Sequence, residues 1–82
     1  MPHVHIQHFA PALPEDVLSE LSAVLAATLG AFFGCEERVV SIAVEPVFPG
    51  EWASRVYEPV IAAQQQWLVK PPGYGRLHGE PA

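Results

Sequence analysis

Residues 2–9 read PHVHIQHF, and this stretch decides how the fold begins. Val4 and Ile6 point to one face of an extended chain, and the polar side chains between them point to the other. Alternation of this kind is typical of a β-strand that buries one of its faces. Polar residues occupy the opposite face: His3, His5 and Gln7. We therefore predict that the chain starts with a half-buried strand.

A long helix is predicted next, after the proline-rich loop APALP at residues 10–14. Proline has no amide hydrogen, so the loop cannot continue a sheet, and Pro14 suits a first helical position. Glu15 and Asp16 follow, and negative charge in a first turn stabilises the helix dipole. Apolar side chains then recur at helical spacing: Val17, Leu18, Leu21, Val24, Leu25, Leu29 and Phe32. Gly34 is the predicted end of the helix.

A second strand is predicted over residues 39–44, which read VVSIAV after the charged turn EER at residues 36–38. The run is rich in β-branched residues and nearly continuous in apolar character, which is typical of an interior strand. Strand, helix and strand in this order form a β-α-β unit. Its two strands are expected to be parallel and joined by a right-handed crossover.

The rest of the chain is less regular, because Pro46 and the Pro49-Gly50 pair break it before a short helix predicted over residues 51–57. Pro59 should end that helix and begin a second one, in which Trp67 lies on an apolar stripe and is predicted to be core. The segment KPPGY at residues 70–74 ends this helix.

These elements predict an α+β fold in a single domain over residues 1–82, with residues 76–82 as a flexible tail. A domain of this size buries only somewhat more than roughly 60% of its unfolded surface, so association with a second copy is an efficient way to cover the remainder.

Composition excludes several classes of protein. The net charge of −5 and the four Lys and Arg residues leave no basic stripe for a nucleic acid. Cys35 is the single cysteine, which excludes an intramolecular disulfide and fits a reducing compartment. No signal peptide is recognisable, and the apolar stretch at residues 23–33 is interrupted and looks too short to span a bilayer. We expect a soluble, cytoplasmic protein with no membrane partner.

Pro2 is the first candidate for chemistry, because removal of Met1 would expose a free secondary amine at the start of the strand. An ordinary α-amino group has a pKa of about 7.7–8.0, and burial in an apolar pocket disfavours its charged form. Such an amine can serve as a general base at neutral pH. The alternative is an ordinary amino terminus, since a Met-Pro start by itself has no catalytic consequence.

Five segments, taken in order, carry a resemblance to a known family. They are PHVHI at residues 2–6, the long helix, SIAV at residues 41–44, PGEW at residues 49–52 and KPPGY at residues 70–74. This layout resembles the 4-oxalocrotonate tautomerase group of the tautomerase superfamily. It is most similar to a longer bacterial subgroup, the dimeric phenylpyruvate-tautomerase-like proteins, over roughly residues 2–75. The resemblance implies a tautomerase-type β-α-β unit with short carboxy-terminal helices, and no cofactor.

The resemblance also implies roles for individual residues. Pro2 occupies the position of the catalytic base, and Trp52 falls where an aromatic residue makes the pocket apolar. Ala12 and Ser41 stand where short relatives carry substrate-binding arginines, so a dicarboxylate substrate would lack both expected partners. An arylenolpyruvate or a 2-hydroxydienoate fits better. The implied product is the keto form of a small 2-oxo acid.

The substrate carboxylate still needs a binding partner, and three residues are candidates: Lys70 first, then Arg55 and His3. Each has a structural alternative, since Lys70 can be a cation at a helix end and Arg55 a surface residue. Trp52 can equally be a packing residue. His3 and His5 share a strand face, but two imidazoles are too few for a zinc site, so no metal is expected.

Two questions about function and assembly stay open at this point. The superfamily resemblance also permits an enzyme that uses the same proline to activate water, as a hydratase or dehalogenase, and a tautomerase fold that only binds a ligand. The resemblance to the longer subgroup implies a homodimer that extends the sheet, with a higher homo-oligomer as the alternative.

Overall fold

The structure is a computed structural model that describes residues 1–80 of the chain. The chain forms two compact units, residues 1–47 and residues 48–82. The first unit contains strand β1 (His3–Phe9), helix α1 (Glu15–Phe33), a 3₁₀ turn (Glu37–Val39) and strand β2 (Ser41–Val47). The second contains a 3₁₀ turn (Pro49–Glu51), a π helix (Ala53–Ala62) and two further 3₁₀ turns (Gln65–Trp67 and Arg76–His78). The predicted α+β class is confirmed.

Strands β1 and β2 pair in parallel, in a register that runs from His3 opposite Ser41 to Phe9 opposite Val47. Burial alternates along the start of β1, where Val4 and Ile6 are half-buried while His3 and His5 are exposed. The parallel pairing and the half-buried first strand are both confirmed.

Strand β2 lies further along the chain than predicted, and it includes Pro46. The prediction that Pro46 breaks the chain is wrong, because Pro46 pairs with His8. The amide of Ser41 donates to the carbonyl of Pro2 at 3.2 Å, so odd-numbered residues of β2 direct their amides toward β1. The nitrogen of Pro46 therefore faces the outer edge of the sheet, where a missing donor costs no ladder bond.

Helix α1 begins and ends where the sequence predicts. It starts directly after Pro14 with Glu15 and Asp16 in the first turn. Gly34 ends it in a left-handed conformation with φ 62° and ψ 40°. By length and apolar composition alone the whole of α1 could cross a membrane, because the helix extends well beyond the stretch of residues 23–33 that was considered from the sequence. A helix that packs in a protein core or interface meets the same criteria.

The second unit corrects two predictions. Pro59 lies inside the π helix and does not divide it, because hydrogen bonds such as that from Ala63 N–H to the Glu58 carbonyl, at 3.0 Å, span five residues. This wider turn accommodates a proline that would disrupt an α helix. Trp67, predicted to be core, is 76% exposed. The helix ends at Ala62, so the predicted apolar stripe is not continuous.

The core of the second unit consists of Val56, Tyr57 and Ala62. Residues 76–78 form a 3₁₀ turn, and Arg76 pairs with Glu58. The mobility of residues 76–82 stays a prediction, and residues 81 and 82 lie outside the described residues.

Candidate active site

Pro2 directly precedes strand β1 and is half-buried. Its carbonyl accepts the amide of Ser41, which fixes the start of the strand by a backbone bond. Met1 precedes it and is 99% exposed. While Met1 is attached, the nitrogen of Pro2 belongs to an amide and has no basic lone pair. Removal of Met1 is therefore the step that would create a base here.

One face of the sheet carries a row of hydrogen-bonded polar side chains. His3 Nδ1 lies 2.6 Å from Ser41 Oγ, and His5 Nε2 lies 3.0 Å from Glu45 Oε1. Gln7 Nε2 donates to the same Glu45 oxygen at 3.1 Å. His3 and His5 are thus bonded across the strand pair. Within residues 1–80 no group of three or more His, Cys, Asp or Glu side chains is arranged to hold a metal ion.

A cavity of about 310 Å³ lies within the second unit. We call it the aromatic cavity, because three aromatic residues form much of its wall. Its lining residues are Trp52, Ala53, Tyr57, Glu58, Tyr74, Gly75 and Glu80. Its size is at the lower end of the range usual for small-molecule sites, about 300–1,000 Å³.

Two hydrogen bonds position the aromatic rings of the cavity. Trp52 Nε1–H donates to the Tyr74 hydroxyl at 2.9 Å, and the Leu77 amide donates to the Tyr57 hydroxyl at 2.9 Å. The rings of Tyr57 and Tyr74 have centroids 5.6 Å apart and are tilted by 47°. Gly75 has φ 76°, and a Cβ atom at this position would lie 2.4 Å from the Tyr57 hydroxyl.

Arg76 and Glu58 form an ion pair in the second unit. Arg76 Nη2 donates to Glu58 Oε1 at 2.9 Å and to Oε2 at 3.1 Å. The hydrogen bonds that Arg76 donates to Glu58, together with the negative charge of that carboxylate, raise the pKa of Arg76. Both side chains are about half exposed, at 47% and 50%, so this pair is a surface contact rather than a buried charge site.

The predicted substrate-binding residues have different surroundings. Trp52 lines the aromatic cavity, whereas Arg55 and Lys70 are absent from its wall in the described part of the chain. Arg55 Nη1 lies 3.9 Å from Glu51 Oε2, and Lys70 is an exposed residue in a bend. Ser41, which stands at an expected arginine position, is bonded to His3.

Sequence reasoning did not assign roles to several residues of the cavity. Tyr57 sits in the helical run, and Tyr74 belongs to the closing segment that carries the family resemblance, but neither was singled out. The Gly-Tyr-Gly run at residues 73–75 was the available signal, because glycines beside an aromatic residue often mark a close approach of the backbone.

Comparison with known proteins identifies relatives over almost the whole chain. It is 35% identical over 74 residues to Tautomerase PptA of Pectobacterium carotovorum subsp. carotovorum (strain PC1), covering 90% of this chain and 97% of that protein. It is 37% identical over 81 residues to a probable tautomerase of Xylella fastidiosa (strain 9a5c), covering 99% and 98%. Tautomerase PptA of Klebsiella pneumoniae (strain 342) shares 35% identity over 90% of this chain and 97% of that protein. No protein-family model matches the sequence.

Proposed function

The chain belongs to the tautomerase superfamily and is an isomerase, and from this premise we propose that Pro2 is the base of a keto-enol tautomerase. The substrate in this proposal is a small 2-oxo acid in its enol form, an arylenolpyruvate or a 2-hydroxydienoate. The observation that carries it is similarity to tautomerases over nearly their full length, in a chain whose second residue is proline.

The proposed reaction transfers one proton out of the substrate and one back. The neutral amine of Pro2 takes the proton of the enol hydroxyl, and the electron pair of that O–H bond forms the carbonyl as the carbon-carbon double bond shifts. The prolinium then returns a proton to carbon, which yields the ketone and restores the amine. An amine that titrates near neutral pH is suited to both transfers.

Substrate binding is assigned to four residues in this proposal. Trp52 supplies an aromatic surface, and its place in the wall of the aromatic cavity supports that role. Lys70 is the first candidate for the carboxylate, because it is a cation exposed to solvent, and Arg55 and His3 are secondary candidates. Ala12 and Ser41 cannot supply charge, so a singly charged substrate is favoured over a dicarboxylate.

We further propose that the enzyme is a cytoplasmic homodimer. The apolar surface of α1 supports self-association, since Val24 and Phe32 are 57% and 84% exposed in the single chain. The sheet also has only β1 and β2 within residues 1–80, and each strand has an outer edge available to another copy.

The test compares trimmed and untrimmed protein in the ketonisation of phenylenolpyruvate. Intact mass establishes whether Met1 has been removed. We expect the trimmed protein to accelerate ketonisation and the Met1-retaining protein, made in a host that lacks the aminopeptidase, to be inactive. Pro2→Ala should lower kcat/KM by about 100-fold or more, the usual contribution of a general base. Pro14→Ala is the matched control and should keep full activity.

Two results would reject the role of Pro2. The first is trimmed protein that ketonises the substrate no faster than buffer. The second is a Pro2→Ala variant that is as active as the wild type. For the carboxylate partner, Lys70→Gln should raise KM at least about 10-fold, because a charge-assisted hydrogen bond contributes about 1.5–3 kcal/mol. Unchanged kinetics in Lys70→Gln would transfer the role to Arg55 or His3.

A further inference from the structure

We propose that His3 and Ser41 form a positioning pair, which fixes Pro2 at the amino terminus of the trimmed chain. The Ser41 amide donates to the Pro2 carbonyl at 3.2 Å, and the Ser41 hydroxyl oxygen lies 2.6 Å from Nδ1 of His3. One residue of β2 is therefore bonded to both of the residues that begin the trimmed chain. Where it concerns turnover, this inference rests on the proposed role of Pro2 as the base.

A terminal proline needs contacts from elsewhere to stay in place. Once Met1 is removed, Pro2 is the first residue of the chain, and chain ends are poorly ordered unless they are tied down. Its nitrogen has to stay available for the substrate, so its carbonyl is the backbone group that can anchor it. That carbonyl accepts a bond of 3.2 Å, which is at the long end of the usual range of about 2.7–3.2 Å. A second link beside this bond would restrict the motion of the terminus.

Ser41 is well placed to be the fixed side of this link. It is the first residue of β2 and follows the 3₁₀ turn Glu37–Val39, which is closed by a bond from the Val40 amide to the Glu37 carbonyl at 3.1 Å. His3 lies directly opposite Ser41 in the register of the two strands, where side chains are close enough to interact. The serine hydroxyl can donate or accept, so the bond forms with either tautomer of the imidazole.

The other polar side chains on this face of the sheet bond to one another further along the strands. His5 Nε2 and Gln7 Nε2 lie 3.0 and 3.1 Å from the same oxygen of Glu45. Glu45 is opposite Gln7 in the register, so this cluster connects the middle of the two strands. The His3 bond connects their start. His5 therefore offers a matched control, because it is the same residue type on the same strand and face.

A loosened terminus should slow proton transfer without weakening substrate binding. A base has to lie within about 2.6–3.2 Å of the atom whose proton it takes, and a misplacement of about 1 Å can lower the rate by about 100-fold. His3 and Ser41 are both exposed, so water can replace their bond and the fold should tolerate its loss. The loss should therefore lower kcat. Removal of a group that only binds the substrate would raise KM instead.

The first test measures ketonisation of phenylenolpyruvate by trimmed variants, with the removal of Met1 checked by intact mass. We expect His3→Ala and Ser41→Ala each to lower kcat about 10-fold and to leave KM unchanged. The double variant should lose no more than either single variant, because both changes remove the same bond. Ser41→Thr, which keeps the hydroxyl, should retain the wild-type kcat. His5→Ala, the matched control, should also retain it.

The second test does not depend on catalysis. The steady-state heteronuclear nuclear Overhauser effect of the His3 amide, measured by NMR on trimmed protein, reports motion on the ps–ns timescale at the start of β1. We expect it to fall in Ser41→Ala, in which the anchoring hydroxyl is lost while His3 itself is kept. In His5→Ala it should stay at the wild-type value.

Several outcomes would overturn the positioning pair. An unchanged Overhauser effect in Ser41→Ala is one, and losses of kcat that multiply in the double variant are another. A rise in KM alone for His3→Ala would also overturn it and would assign His3 to the substrate carboxylate. If the Overhauser effect falls as expected but the wild type does not ketonise the substrate, the proposed function fails while the positioning of Pro2 stands.

Discussion

In residues 1–47 a strand pair and a long helix set the contacts, and the side-chain bonds between distant positions follow the register of the two strands. In residues 48–80 side chains bond to distant positions outside any sheet. The first region contains the paired strands β1 and β2 and the helix α1. The second depends on bonds such as that between Trp52 and Tyr74 and that between Tyr57 and Leu77. Regular structure can follow from local patterns in sequence, but such tertiary contacts cannot.

Two glycines show this difference in its simplest form. Gly34 and Gly75 both have positive φ, 62° and 76°, which favours glycine in each case. A Cβ atom at Gly34 would have no neighbour within 4 Å, whereas one at Gly75 would meet the ring and hydroxyl of Tyr57. Gly34 satisfies a backbone requirement alone. Gly75 satisfies that requirement and also permits a tertiary contact.

The largest predicted effect is that of Gly75→Ala. We expect it to lower the free energy of unfolding by about 3 kcal/mol, because left-handed strain of about 1–2 kcal/mol adds to overpacking of about 1–3 kcal/mol. Urea denaturation measures the loss. Gly73→Ala is the control, since its Cβ would have no neighbour within 4 Å and its φ is not positive. A Gly75→Ala loss no larger than that of the control would show that the contact with Tyr57 is not tight.

A smaller effect is expected for Gly34→Ala, which removes the αL end of helix α1. The loss should be about 1 kcal/mol, since strain in the left-handed conformation is its main cause. The same urea experiment gives the value, and Gly50→Ala, at a position with open space and ordinary φ, serves as control. If Gly34→Ala cost as much as Gly75→Ala, the distinction between a local and a tertiary requirement would be lost.

Residues 1–47 were predicted well because their elements follow from local signals in the sequence. Alternation at Val4 and Ile6, acidic residues after Pro14 and a glycine at position 34 are local signals, and the structure confirms the elements they predicted. Pro46 was misjudged because its effect depends on which edge of the sheet its nitrogen faces, and that is a property of pairing. Local sequence indicates the strand pair but not which edge of the sheet the nitrogen of Pro46 faces.

The second region was harder to predict from the sequence. Pro59 was expected to end a helix, but the π-helical hydrogen-bond pattern accommodates it, and periodicity does not reveal that pattern. Trp67 was predicted to be core because it lay on an apolar helical stripe, but the helix ends at Ala62, before Trp67. In the aromatic cavity Trp52 is hydrogen-bonded to Tyr74. Helical or strand periodicity cannot predict a contact between residues so far apart in sequence. The family resemblance identified Trp52 and Pro2 as candidates, and their roles stay predictions.

The smallest expected effect concerns the ion pair of Arg76 and Glu58, which connects distant positions but lies at the surface. Exposed pairs contribute little, so Arg76→Gln should lower the melting temperature by less than Gly34→Ala does. Pairing with Glu58 raises the pKa of Arg76, so the contribution of the pair is fully present below the unfolded pKa and is lost only as the pH rises through the folded one. Changing the pH near neutrality therefore does not test the pair.

Salt is therefore the informative variable for this pair. In 1 M NaCl, where screening acts over about 3 Å, the difference between Arg76→Gln and the wild type should disappear. Arg38→Gln is the matched control from the first region, because Arg38 pairs with Glu36, a neighbour in sequence, and its loss should leave the fold unchanged. A salt-resistant loss in Arg76→Gln would mean that the guanidinium also holds the chain by packing. Arg76 would then stabilise residues 48–80 through packing contacts as well as through its charge.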